Sequence, residues 1–237
     1  MYNKLVMWQK RLALGIGIFG NLWIWRIFNL NPVVALLLVG ATLAFYKNFK
    51  IIFLILFAGT LFFQFKTTNI QDLTHLTNDQ QRVVQIRLKA YPYWATSIGK
   101  WLEVSPKAIA LGRIRQNFFE NLDINQYFFA THPRQRVGIT EFEKFPYILL
   151  PFFIYGTYKS VKQKPWHTVG LALTPLALLA VIGNQNPLGP FSLLPIFAIS
   201  TIVGLEAFLK WAKKPYVVTF LILFGLVMIQ IISYENF

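Results

Sequence analysis

Seven apolar stretches, each closed by cationic or turn-forming residues, constrain this chain more than any motif in it. They cover residues 12–30, 32–46, 51–65, 145–158, 166–183, 191–209 and 215–234. A spanning helix needs about 20 residues, with a working range of about 17–25. Four of the stretches meet that length, while the second, third and fourth are shorter. Composition agrees with lipid as the main solvent. The 237 residues are 55% hydrophobic and only 14% charged, where soluble domains carry about 25% charged residues. A soluble protein of this length has no interior large enough for 23 phenylalanines and the aliphatic residues beside them. Pairing the second and third stretches as a re-entrant hairpin would hold Lys47 and Lys50 at membrane depth, at about 2.5–3.5 kcal/mol each. Two full passes with those lysines in water cost less. The expected fold is an all-α integral membrane protein of about seven transmembrane helices with a helical extracytoplasmic insert. It divides into a membrane segment at 1–65, the insert at 66–144 and a second membrane segment at 145–237.

Lysine and arginine in short loops set orientation, because they are retained on the cytoplasmic side. With the N-terminus inside, the inner segments carry Lys4, Lys10, Arg11, Lys47, Lys50, Lys159, Lys162, Lys164, Lys210, Lys213 and Lys214, and the short outer segments carry Arg26 alone. The expected site is therefore a cytoplasmic (inner) membrane, with the N-terminus inside and the C-terminus and residues 66–144 outside. Asn21-Leu22-Trp23 stands where a signal peptide would have small residues for cleavage, so the first stretch reads as an uncleaved anchor. Trp8 at one end and Trp23 and Trp25 at the other read as interfacial belts. The absence of any N-x-Ser/Thr sequon suits a prokaryotic chain, and the absence of cysteine excludes disulfide and thiolate chemistry.

The insert alone has soluble composition, with eleven Lys/Arg against seven Asp/Glu. Thr77-Asn78-Asp79 predicts a helix start, with the helix running to Tyr91 and stopped by Pro92. The alternation from Val84 to Ala90 suits a strand, but nothing nearby could pair with it. Ser105-Pro106 predicts a second helix to about Asp123, since serine caps well and proline is tolerated at the first helical position. Leu111, Ile114, Phe118 and Leu122 form its expected apolar face, interrupted by Arg115. Tyr91-Pro92-Tyr93-Trp94 and Tyr127-Phe128-Phe129 read as aromatic anchors of a helical layer resting on the outer membrane face.

Chemistry is sparse. Arg113, Arg115, His132, Arg134 and Arg136 form an expected anion-binding cluster, since arginine forks suit phosphate oxygens; a basic loop against anionic headgroups is the plainer alternative. Glu206 is the one carboxylate within the apolar stretches. It lies four residues before Lys210, the order of a helical ion pair, and an acid at membrane depth also suits proton or cation coupling. Asp72, His75 and Asp79 have metal-ligand spacing, but the helix start between them breaks the register, and no metal or cofactor is expected. Gly15-Ile16-Gly17-Ile18-Phe19-Gly20 matches a dinucleotide fingerprint in letters only, because no strand precedes it. The glycines there, and small-residue seams at Gly170, Thr174, Ala177 and Ala180 and at Ser200, Gly204 and Ala207, predict close helix contacts. No P-loop, H-E-x-x-H or G-x-S-x-G occurs, and the last stretch has no lysine for a retinal Schiff base.

The expected role is a non-catalytic subunit or scaffold of envelope machinery. Its partners would be membrane lipids and another membrane or envelope protein, with no nucleic acid. The alternatives are an enzyme or carrier acting on a phosphate-bearing lipid at the outer leaflet, and an ion-coupled transporter using Glu206.

Overall fold

The computed structural model describes residues 2–70, 72–74, 76, 78–129, 142–163, 165–183 and 185–235. The protein is 84% helical, and the described residues contain no strand. Helices α1 (Tyr2–Phe19) and α2 (Leu22–Leu30) occupy the first apolar stretch, followed by α3 (Pro32–Tyr46) and α4 (Lys50–Thr67). The insert folds as α5 (Asn78–Ala90), α6 (Thr96–Val104), α7 (Pro106–Leu122) and a single turn, α8 (Asn125–Phe128). The last four stretches become α9 (Leu150–Gln163), α10 (Pro165–Ile182), α11 (Leu194–Trp211) and α12 (Lys214–Glu235).

Every expected apolar stretch is thus helical, but the lengths support fewer spans than seven. Among the described residues three segments are long and apolar enough to cross a membrane: α4, 191–211 and 214–233. The α1–α2 pair makes a fourth if a bent span is counted. With 15 residues, α3 reaches only about 22 Å at 1.5 Å per residue, short of a hydrocarbon core of about 30 Å.

The first stretch is not one straight helix. It breaks at Gly20-Asn21, and its halves meet at 55°. Asn21 is fully buried and caps both halves. Its side-chain oxygen accepts from the Ile24 N–H (2.9 Å), and its amide donates to the Ile18 carbonyl (2.7 Å). The side chain therefore satisfies backbone groups that the break would otherwise leave open in an apolar interior. Asn31 repeats the device, capping α3 through the Val34 N–H ahead of Pro32.

The centre of the bundle is α11, 72% of whose span is buried against 22% for α4 and for α12. It contacts α9, α1 and α3, and α4 packs on α3. The expected seam at Ser200 and Gly204 is where α9 crosses. A Cβ on Gly156 would lie 1.7 Å from the Ser200 carbonyl oxygen, and one on Gly204 would lie 1.9 Å from that of Phe152. Only glycine lets the two backbones approach so closely. The other expected seam is open at its start: Gly170 has no neighbour there, and Thr174 donates to the Gly170 carbonyl of its own helix.

The helix ends fall into two poles. At one, Gln9 of α1 donates to the Leu209 carbonyl of α11, and Tyr46 of α3 reaches Glu206. At the other, Trp23 bonds Leu188, Gln64 bonds Gly189, and α7 bonds the end of α10 through Asn117 and Ala180.

Candidate functional site

The insert hangs from the bundle by α7, and the face it uses is polar. Asn117 and Asn121 are buried, and Asn117 donates to the Ala180 carbonyl at 3.1 Å. The expected apolar face is not the docking face: Leu111 and Leu122 are exposed, and Ile114 and Phe118 are half-buried. A free carbonyl at the end of α10 needs a donor more than it needs a leucine, and an asparagine amide supplies one. The expected helix start holds, since Ser105 accepts from the Ala108 N–H at 3.2 Å.

Turning α7 this way leaves its other face toward α5 and α6, and a trough of about 710 Å³ opens between the three. Val83, Val84, Leu102, Ile109 and Leu111 give it apolar walls, and Arg87, Arg113 and Arg115 line it with cations. Arg87 lies 3.5 Å from Glu103, and Arg113 donates to Gln80 at 3.1 Å. Arg115 is exposed. Two members of the expected cluster, Arg113 and Arg115, thus share one amphipathic trough, joined by Arg87, which composition alone did not single out. His132, Arg134 and Arg136 lie outside the described residues, as do His75 and the side chain of Asp79. Asp72 accepts from the backbone N–H and the hydroxyl of Thr74, both at 2.8 Å, which ties it to a local turn.

Glu206 does not pair with Lys210. The only salt bridge shown among the described residues is Arg87–Glu103. The Tyr46 hydroxyl instead donates to Glu206 Oε1 at 2.5 Å, across from α3. This contact joins two helices 160 residues apart in sequence, where an i, i+4 pair would have stabilised one helix only.

A second constellation escaped the sequence reading altogether. Lys144 is 1% exposed, and its ammonium donates to the Gln126 carbonyl at 2.8 Å. It lies 5.0–5.8 Å from the ring centres of Phe142, Tyr127 and Trp23. Trp23, expected at an interface, is fully buried, and its indole N–H donates to the Leu188 carbonyl at 2.7 Å. Tyr127 and Phe128 are likewise fully buried and pack on Phe197 of α11. These two rings anchor their end of the insert inside the bundle instead of serving as surface anchors. Gln64 adds a further cross-link, donating to Gly189 and accepting from the Ser192 N–H at 3.0 Å. The arrangement joins the insert, α1–α2, α4 and the 185–193 loop into one unit.

Comparison with family models, curated proteins and solved structures finds no match in any of the three.

Proposed function

We propose that the chain is a seven-pass protein of a prokaryotic cytoplasmic membrane, with the N-terminus inside and the C-terminus and insert outside. It serves there as a non-catalytic subunit or scaffold of envelope machinery, binding another protein or an anionic lipid through the insert. The observation that carries this reading is the trough between α5, α6 and α7. Apolar walls with arginines along them suit an anionic amphiphile or an acidic amphipathic helix, and its volume falls within the range of about 300–1,000 Å³ usual for ligand sites. The two poles of the bundle support the orientation. Lys10, Arg11, Lys47 and Lys210 fall at the pole marked by Gln9 and Tyr46. The shorter helices can pass in pairs with the longer ones, because a helix below span length is accommodated by local thinning of the bilayer.

Native mass spectrometry after purification in a mild detergent tests the role. A protein or anionic lipid should travel with the chain, and Arg113→Ala with Arg115→Ala should reduce its retention. A chain that keeps no companion before or after these changes would overturn the reading.

The Tyr46–Glu206 hydrogen bond favours a second reading, ion-coupled transport. An acid bonded across two helices could exchange its proton as those helices shift. Reconstituted vesicles decide it: a proton-dependent flux that Glu206→Gln abolishes, with folding intact, would move the assignment to transporter.

A further inference from the structure

A neighbouring trough of about 850 Å³ shares Leu76, Val84 and Ile109 with the first and opens beside α6. Its remaining apolar lining is Leu88, Trp101 and Val104, with Thr74, Gln81, Gln85 and Ser105 as polar neighbours, and Lys100 is the only charged residue on it among the described residues. Lys100 is exposed and forms no ion pair among the described residues. The two troughs differ in charge: Glu103 stands with three arginines on the first, and Lys100 stands alone among the described lining of the second. Of the first trough's cations, Arg87 and Arg113 already hold a carboxylate and an amide of the chain itself. The second trough offers an uncommitted ammonium above a wall of hydrocarbon.

What surrounds its mouth narrows the ligand. Trp94, Ile98 and Trp101 are spaced four and three residues apart, which sets them along one face leading into and through α6. They are 80%, 55% and 66% exposed. Tyr93 beside them is 98% exposed. So large an aromatic stripe is costly in water, whereas tryptophan and tyrosine rings are enriched where headgroups meet hydrocarbon. Trp101 belongs both to the stripe and to the trough, so a stripe resting among headgroups places the trough mouth at the level of lipid phosphates and acyl chains.

We propose that α6 lies in the headgroup layer and that the trough beside it takes one acyl chain of an anionic phospholipid, whose phosphate meets Lys100. The proposal rests on reading the chain as a membrane protein with its insert at a lipid surface. Charge complementarity selects the ligand: the Lys100 ammonium, with no carboxylate among the described residues of the lining, favours a negative headgroup over a zwitterionic one.

Photocrosslinking tests the site on the intact chain. The protein is reconstituted in nanodiscs containing a trace of phosphatidylglycerol with a diazirine on one acyl chain, irradiated, and mapped by peptide mass spectrometry. Adducts are expected on Val84, Leu88, Val104 and Ile109, and also on the exposed aliphatic faces of α4 and α12, which serve as an internal control for bulk lipid. Excess unlabelled phosphatidylglycerol should displace the trough adducts, and equal phosphatidylcholine should not, whereas the α4 and α12 adducts should dilute equally with either. Free glycerol phosphate should leave the trough adducts in place, because the site needs the chain as well as the phosphate. Lys100→Gln should lower trough labelling about fivefold, the equivalent of one headgroup contact of about 1 kcal/mol, with α12 labelling unchanged.

Labelled α4 and α12 with an unlabelled trough would overturn the lipid site, and the trough would then be open to a protein helix. Trough adducts that dilute equally with both lipids and ignore Lys100→Gln would reduce it to bulk lipid contact and overturn it too. Loss of labelling on α4 and α12 as well would overturn both this site and the membrane reading beneath it, a result distinguishable from failure at the trough alone.

Discussion

Lys144 is the only lysine or arginine buried among the described residues, and its surroundings explain why it can be. Removing an ammonium from water costs several kcal/mol unless hydrogen bonds and fixed negative potential replace the water. The Gln126 carbonyl and three aromatic faces supply both. The butyl stem fills space as well, lying so close to Gly189 that a Cβ there would come within 3.1 Å of Lys144 Cε. Lys144→Ala should therefore lose stem and charge together, at about 2–5 kcal/mol for the truncation, and Lys144→Met should lose less because the stem remains. Thermal unfolding in detergent ranks the two, and equal losses would mean that the ammonium alone holds the junction. Glu206 invites the complementary substitution. Glu206→Gln keeps an oxygen that can accept from the Tyr46 hydroxyl, so it should cost about 1 kcal/mol. Tyr46→Phe removes the donor and should cost about 1.5–3 kcal/mol if the acid is charged. Unfolding of both single variants and the double variant measures the coupling. An additive double would show that the bond contributes nothing to stability.

At the scale of elements, close backbone approach is the feature most exposed to mutation. Gly156 faces the Ser200 carbonyl, an atom of the α11 backbone that cannot rotate away as a side chain could. Gly156→Ala should therefore push α9 off α11 and cost about 1–3 kcal/mol, the usual range for overpacking. Gly15→Ala in α1, where no atom lies within 4 Å, should be neutral or slightly stabilising. Folded yield by size exclusion reads the contrast, and similar yields would mean that the helices accommodate the methyl. Elements of this kind were legible in the sequence wherever local chemistry decides them. Ser105-Pro106 begins a helix because a capping oxygen and a proline at the first turn act within four residues. The break at Asn21 was not legible, because an asparagine in an apolar run bends a helix only when its amide reaches the carbonyls behind it. Trp23 looked interfacial for a similar reason: position near a helix end suits a belt, and only the distant Leu188 carbonyl makes the buried site possible. The docking face of α7 was hidden because its partner is a backbone carbonyl 63 residues away. Within the candidate site, Arg113 and Arg115 were visible as charges on one helix, while Arg87 joins them only through the packing of α5.

For the whole molecule, on the proposed membrane reading, the deciding quantity is which pole faces the cytoplasm. The bundle separates its ends without reference to any membrane. Gln9 meets Leu209 and Tyr46 meets Glu206 at one pole, and Trp23, Gln64 and Asn117 meet the 180–189 segment at the other. Helices α9 and α11 both start at the second pole, where the Lys144 carbonyl accepts from the Trp23 N–H and its side chain packs on Gly189, and so run in the same direction. Lys159 and Lys162 thus lie toward the pole of Lys210, and the cations of four separate segments converge there. Convergence matters because retention of lysine and arginine on the cytoplasmic side acts on short loops near helix ends, and an arrangement dividing them between poles would leave the orientation undetermined. The chain has no cysteine, so single cysteines report without background. A cysteine at Asn78, at the start of α5, should react with a membrane-impermeant maleimide on intact spheroplasts, and one at Ser160 in α9 should react only after lysis. The reverse pattern would invert the protein. Reaction at both positions before lysis would show that α9 does not carry its end across the bilayer, and its 14 residues would then lie wholly on the outer side.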